Sequence, residues 1–253
     1  MLYSVTPKKE KEARVSLNVL YSKIPDTKGC MEHIGKPESE GGCGAWCCRM
    51  QTPQVLYSEF LNTWKNVTSS FSDGDFESLI ERCLRKYLYP NEDKGCVFLN
   101  KETNMCAQHE TRPFNCRVYG IIPEEEFKPR YERLKVIYPD VREQCNLVST
   151  VDGRKVTKKD TDNWWLELKS IEMKMGVKPD LISDDDGGSY RTYHDHILIH
   201  LLGEENLYKL SEIRVGGSKI DKERVIQRMM GMLKKFKEQK REQAKEDASS
   251  KEG

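Results

Sequence analysis

Eight of the nine cysteines in this 253-residue chain follow a pattern suited to holding metal. Cys30 comes first, then Cys43-Gly-Ala-Trp-Cys47-Cys48. Cys96, Cys106 and Cys116 follow at intervals of ten residues, and Cys145 closes the series. Thiolates are soft ligands that favour zinc and iron–sulfur clusters. One centre takes four of them, so eight allow two sites, or one site with thiols to spare. In an extended segment, neighbouring side chains point to opposite sides. On that reading Cys47 and Cys48 serve different centres, or two metals of one cluster. A zinc ribbon uses paired C-x2-C knuckles, and the chain has none. Plain structural zinc is therefore the weaker expectation.

Charge must also be offset. Two sites of four thiolates each start at about −8, and divalent zinc in both leaves about −4. Arg49, Lys94, Arg112 and Arg117 lie near the cysteines in sequence. Arg112 and Arg117 flank Cys116 and are the candidate cofactor contacts. As hydrogen-bond donors beside a cluster they would tune its potential. The alternative for them is ordinary salt bridging.

The other routes to chemistry are thin. There is no phosphate loop, dinucleotide fingerprint or Ser/His/Asp set. His194-Asp195-His196-x3-His200 puts His196 and His200 on one face of a helix, a spacing that can present two imidazoles to a metal. The run is otherwise apolar, so a buried helix with polar edges is the competing reading. His109 follows Cys106 by three residues and is a further nitrogen candidate; His33 is less suggestive. Asp184-Asp185-Asp186-Gly187-Gly188 lacks the spaced ligands of an EF-hand and reads as a solvated turn. Trp46 would either shield a metal from water or pack locally.

The positioning elements are read from periodicity. Val15, Leu17, Val19 and Tyr21 alternate with polar residues, which predicts a strand over 14–21. Residues 22–48 read as an irregular loop. Helices are expected over 58–68, 74–88, 160–175, 190–202 and 219–236. The stretch 124–144 is charged and interrupted by Pro129 and Pro139. Cys83 lies on the apolar stripe of 74–88 and reads as core. These elements give an α+β, helix-rich fold with an irregular cysteine-rich metal-binding core wrapped by the helices at 58–68 and 74–88. The expected organisation is an N-terminal strand region (1–24), a cysteine-rich domain (25–149), a helical region (150–236) and a polar tail (237–253), frayed or disordered.

Composition narrows the setting. Hydrophobic residues make up 37% and charged residues 33%, with a formal net charge of +1. No apolar run approaches the ~20 residues of a membrane span, and the first residues lack the apolar stretch of a signal peptide. A cytoplasmic location, where thiols stay reduced, is the expectation. The basic residues after Lys219 alternate with acidic ones, so a nucleic-acid partner is disfavoured. The partner or substrate is then a protein or small molecule, and nothing in the sequence implies an oligomeric state.

The cysteine order resembles that of the CxxCxxCC family, described as zinc- or iron-chelating. The resemblance rests on Cys43-Gly-Ala-Trp-Cys47-Cys48, on Glu59 as the acidic residue in the next helix, and on Cys96-Val97-Phe98-Leu99. It continues through Cys106 and Arg112-Pro113-Phe114-Asn115-Cys116-Arg117 to the late Cys145. It covers roughly residues 30–147. Here three residues separate Cys43 from Cys47, and Asn146 follows Cys145 where the family often has Pro-Gly. The resemblance implies metal binding, with an iron–sulfur cluster preferred and zinc the alternative. A redox or metal-assisted catalytic role is expected from the first, a zinc-stapled interaction module from the second. The family includes a lysine methylase acting on flagellin, but the chain shows no acidic-Gly-x-Gly nucleotide loop, so methyl transfer rests on kinship alone.

Overall fold

A computed structural model describes residues 5–29, 32, 36, 38–40, 44–50, 52–92, 95–137, 148–182 and 189–249. Cys30, Cys43, Cys145, His33, Lys94 and the acidic loop 184–188 lie outside these residues. The fold is helix-rich with a small strand content. The chain divides into two units, one formed by Met1–Ser69 and Lys94–His196, the other by Ser70–Asp93 and Ile197–Gly253.

The first unit begins with a correction. Residues 14–21 are not a strand but the second half of helix α1, Pro7–Tyr21. Its start signal is Thr6, whose side chain accepts from Lys9 N, followed by Pro7 in the first turn. Ala13, Leu17, Leu20 and Tyr21 form the buried stripe, while Val15 and Val19 are 57% and 51% exposed. The apparent alternation therefore mixes core and surface residues.

The described cysteines before residue 50 sit in a short helix, α2 (Trp46–Met50). Helix α3 (Tyr57–Ser70) follows, with Phe60, Leu61 and Val67 buried. Helix α5 (Phe114–Val118) carries Cys116. Helix α6 (Glu124–Ile137) runs through Pro129. The proline forfeits one rung of the ladder without ending the helix, contrary to the interruption expected there. Helix α7 (Lys158–Met175) opens with a Thr157/Asp160 capping box and closes on Gly176 at φ 104°. Its buried residues include Trp164, Leu168, Ile171, Glu172 and Met175. Helices α1 and α7 are the most extensively paired elements of the unit.

Two small antiparallel pairs tie distant segments together. Strand β1 (Thr27–Lys28) pairs with β3 (Ser149–Thr150) in the register Thr27↔Thr150. Strand β2 (Gln54–Val55) pairs with β4 (Arg191–Thr192) in the register Val55↔Arg191. The second pair sits just before two helices, α3 and α8 (Tyr193–Leu202), and so fixes where each begins.

The second unit gathers α4 (Asp73–Leu88), α9 (Glu204–Gly216) and α10 (Lys219–Ser249). Ser72 caps α4 by accepting from Asp75 N. Leu79, Ile80, Cys83, Leu84 and Leu88 are buried on its inner face, with Leu210 and Ile226 from the other two helices. Cys83 is core, as its spacing implies. Arg85 binds Glu223 through both terminal nitrogens, at 2.9 and 3.2 Å. This pair is solvent-exposed and contributes little to stability. Helix α9 has no clear sequence signal. Helix α10 extends to Ser249, through most of the polar segment 237–253.

Candidate metal centre

The described cysteines are placed by turns more than by regular elements. Gly44 and Ala45 both adopt the left-handed conformation, at φ 55° and 54°. Two such residues in succession reverse the chain directly into α2 and cost strain at the alanine. Ala45 is fully buried against Leu99, with Cys48 and Cys96 packed alongside. Cys96 N–H donates to the Cys48 carbonyl at 2.6 Å, joining the two cysteine segments. Leu99 and Cys106 form a bridge, with Ala107 N–H on Phe98 O at 2.9 Å and Asn100 N–H on Met105 O at 2.9 Å. The intervening turn is stapled by Arg49, whose Nε donates to Gly44 O at 2.9 Å and whose guanidinium also reaches Lys101 O at 2.8 Å and Asn104 Oδ1. Arg49 therefore fastens the loops and points its donors at oxygen.

Cys47 and Cys48 revise the extended-chain expectation. They occupy consecutive positions of a helix, and their Sγ atoms lie 3.9 Å apart. Two thiolates on one tetrahedral ion, each at about 2.3 Å, lie about 3.8 Å apart. The observed spacing suits two ligands of a single ion. It does not suit sulfurs directed to opposite sides.

The thiols form one electrostatic group. The hydrogen bond from Cys48 holds the Cys47 thiol below its ordinary pKa, with Arg112 adding to the effect. That same hydrogen bond pushes Cys48 well up, reinforced by burial and by Cys47, Cys96 and Cys116. Burial raises Cys106, and Arg112 opposes it. Burial raises Cys116 strongly, with Cys96, Cys106 and Cys47 adding to it. Cys47 thus acts on Cys48, Cys106 and Cys116, Cys96 acts on Cys48 and Cys116, and Arg112 favours the thiolate at Cys47, Cys106 and Cys116. All of the described cysteines are free thiols. Among the described residues, no group of three or more His, Cys, Asp or Glu side chains is arranged to hold a metal ion.

The two arginines of the Arg-Pro-x-x-Cys-Arg motif have distinct tasks. Arg112 donates to Thr27 Oγ1 at 3.1 Å and lies 3.1 Å from His109 Nε2. That ring nitrogen accepts from the guanidinium, so it is occupied. Arg117 donates to Arg112 O at 2.8 Å and Glu110 O at 2.7 Å, and its guanidinium stacks over the Tyr21 ring at 4.2 Å. Arg117 thus holds the turn that leads into α5.

Helix α5 has no side-chain cap of its own, because its N-cap residue is Pro113. Glu59 supplies the acceptor from α3. Its Oε1 accepts Phe114 N–H at 2.6 Å and the Tyr21 hydroxyl at 2.7 Å, and its Oε2 accepts Leu56 N–H at 3.2 Å. Glu59 is 2% exposed. Burial raises its pKa against the pull of these donors and of Arg117. Burial likewise keeps Tyr21 a neutral phenol, its pKa well above the usual value.

A second buried carboxylate caps α3 itself. Glu172 accepts Tyr57 N–H and Ser58 N–H, each at 2.9 Å, one on each oxygen. It is fully buried, and burial raises its pKa. Sequence reasoning missed it, though a signal existed. Glu172 lies four residues after Leu168 and three before Met175, on the apolar face of α7.

The histidine motif divides. His196 is 1% exposed, stacked on Phe60 at 5.1 Å, with Nε2–H donating to Val55 O at 3.0 Å. Burial lowers its pKa to about 4. His200 is exposed, and His194 pairs with Thr192 Oγ1. His196 thus serves as a core residue tying α8 to β2.

Residues 39–148 match the CxxCxxCC family model, a "putative zinc- or iron-chelating domain". The matched segment spans Cys47, Cys48, Cys96, Cys106, Cys116 and Glu59. It starts after α1 and ends before α7. No curated protein and no solved structure matches the chain. No helix among the described residues is long and apolar enough to cross a membrane.

Proposed function

We propose that the chain binds iron through its cysteines as an iron–sulfur cluster and uses it in redox or metal-assisted chemistry. Cys47, Cys48, Cys96, Cys106 and Cys116 would hold the metal, joined by members of the set Cys30, Cys43 and Cys145. The reading is supported by the match of residues 39–148 to a zinc- or iron-chelating family, within which the Cys96–Cys48 backbone bond and the Leu99–Cys106 bridge tie three of the cysteine segments together. The donor set fits: it is all soft sulfur, and only deprotonated thiols bind. A bound cluster would supply one-electron chemistry. The chain's own part is to hold the thiols in register through the Cys96–Cys48 backbone bond and the Leu99–Cys106 bridge. Arg112 offsets thiolate charge.

Zinc is the second reading, compatible with the 3.9 Å separation of the Cys47 and Cys48 sulfurs. That spacing suits a single tetrahedral ion, or a two-iron cluster in which each iron takes two thiolates. It disfavours a four-iron cluster that would need one thiolate per iron from this pair. In the zinc reading the metal staples an interaction module and no catalysis is implied.

The deciding experiment is anaerobic purification with metal analysis, acid-labile sulfide analysis and a visible spectrum. Iron with sulfide and a chromophore bleached by dithionite is the expected result. Zinc alone, colourless and indifferent to air, would replace the cluster with the staple. Absence of both metals after reconstitution would overturn metal binding itself.

A further inference from the structure

One of the donors on Glu59 comes from outside the matched domain. Tyr21 ends α1, well before residue 39. Its hydroxyl and Phe114 N–H both donate to the same carboxylate oxygen, at 2.7 and 2.6 Å. Its ring face carries the Arg117 guanidinium at 4.2 Å. Phe114 and Arg117 stand on either side of Cys116, at two ends of a five-residue helix. A helix that short has little stability of its own. Its geometry is imposed from outside, and Tyr21 touches both restraints.

We infer that Tyr21 is a positioning residue for the metal centre. Through Glu59 and Arg117 it sets the orientation of α5 and so the direction in which the Cys116 thiol points. The inference rests on the thiolate metal reading proposed above. A carboxylate oxygen has two lone pairs. On Glu59 Oε1 one serves Phe114 N–H and the other the phenol. The phenol thus fixes the plane of the carboxylate that caps α5. Without it, the buried oxygen keeps one unmet acceptor site and the carboxylate is held by Phe114 N–H and Leu56 N–H alone.

The test uses the full chain, reduced and metal-free, titrated anaerobically with cobalt(II) as the probe. Thiolate-to-cobalt absorption reports ligand number and geometry, and competition with a chelator gives affinity. Tyr21→Phe removes only the hydroxyl and keeps the ring under Arg117. It should weaken cobalt binding about 10- to 100-fold, the usual cost of losing a group that orients a metal ligand, and should alter the visible bands. In a Glu59→Gln background the same change should add little, because the route through Glu59 is already lost. Leu17→Val, a fully buried site on the same helix, should lower the unfolding midpoint and leave affinity and bands unchanged. If Tyr21→Phe binds cobalt with wild-type affinity and bands, the Tyr21 inference fails while the metal reading stands. It fails in the same way if Leu17→Val shifts binding as much. If the wild-type chain gives no thiolate–cobalt bands, the metal reading fails and takes the inference with it. Should Glu59→Gln not fold, the contrast between Tyr21→Phe and Leu17→Val still decides.

Discussion

Acidification should destabilise this protein through His196, and the size of the effect can be worked out. The ring is buried between α8 and β2, and its pKa falls from 6.5 to about 4. In the unfolded chain the imidazole takes a proton below about 6.5. In the folded chain it stays neutral until about pH 4. Between those values the unfolded state holds the extra proton, so folding weakens as pH falls. The contribution is fully present above pH 6.5. It declines by about 1.4 kcal/mol per pH unit, and the loss reaches about 3 kcal/mol at pH 4. Glu59 and Glu172 act in the opposite sense, since burial raises both. The clean quantity is therefore the difference between wild type and His196→Phe. Phenylalanine keeps the stack on Phe60 but leaves Val55 O without its donor, costing about 1–3 kcal/mol at neutral pH. Urea unfolding of the metal-free protein from pH 7.5 to 4.5 should show that cost shrinking by about 2.5 kcal/mol with acid. Parallel pH profiles for the two proteins would refute the assignment of a neutral, buried imidazole.

Three further outcomes follow from the geometry. Arg49→Ala should free the 100–105 turn, cost about 1–2 kcal/mol, and speed hydrogen exchange at Met105 and Ala107. Gly176→Ala should lose about 1 kcal/mol of stability, read from the unfolding midpoint, because the α7 cap needs a left-handed residue at φ 104°. Metal uptake should release protons near pH 7 and weaken as pH falls, since Cys48, Cys106 and Cys116 are raised and mostly protonated without metal. Calorimetry in two buffers of different ionisation enthalpy measures that release.

Helix α4 is readable in the sequence because its stripe, its Ser72 cap and the following Pro90 agree. Helix α1 is not, because Val15 and Val19 imitate a strand face while lying on the helix surface. The cysteine series and Glu59 are visible as a pattern. The partners of Glu59 are not: Tyr21 and Phe114 stand 38 and 55 residues away, and no local rule links them. Cys47 and Cys48 mislead for a simpler reason. An adjacent pair points apart only in extended chain, and the left-handed Gly44–Ala45 turn starts a helix instead.

The pairing of α1 with α7 also sets the timing of synthesis. Glu172, which secures the start of α3, leaves the ribosome about 150 residues after Tyr21. At roughly 5–20 residues per second that interval is about 8–30 s. All the cysteines up to Cys145 emerge before the carboxylate that completes the scaffold. Cys30 precedes Glu172 by 142 residues and Cys145 by 27, so each nascent thiol waits between about 1 and 28 s for that carboxylate. On the metal reading proposed above, loading would depend on how the growing chain is sheltered as well as on its finished shape.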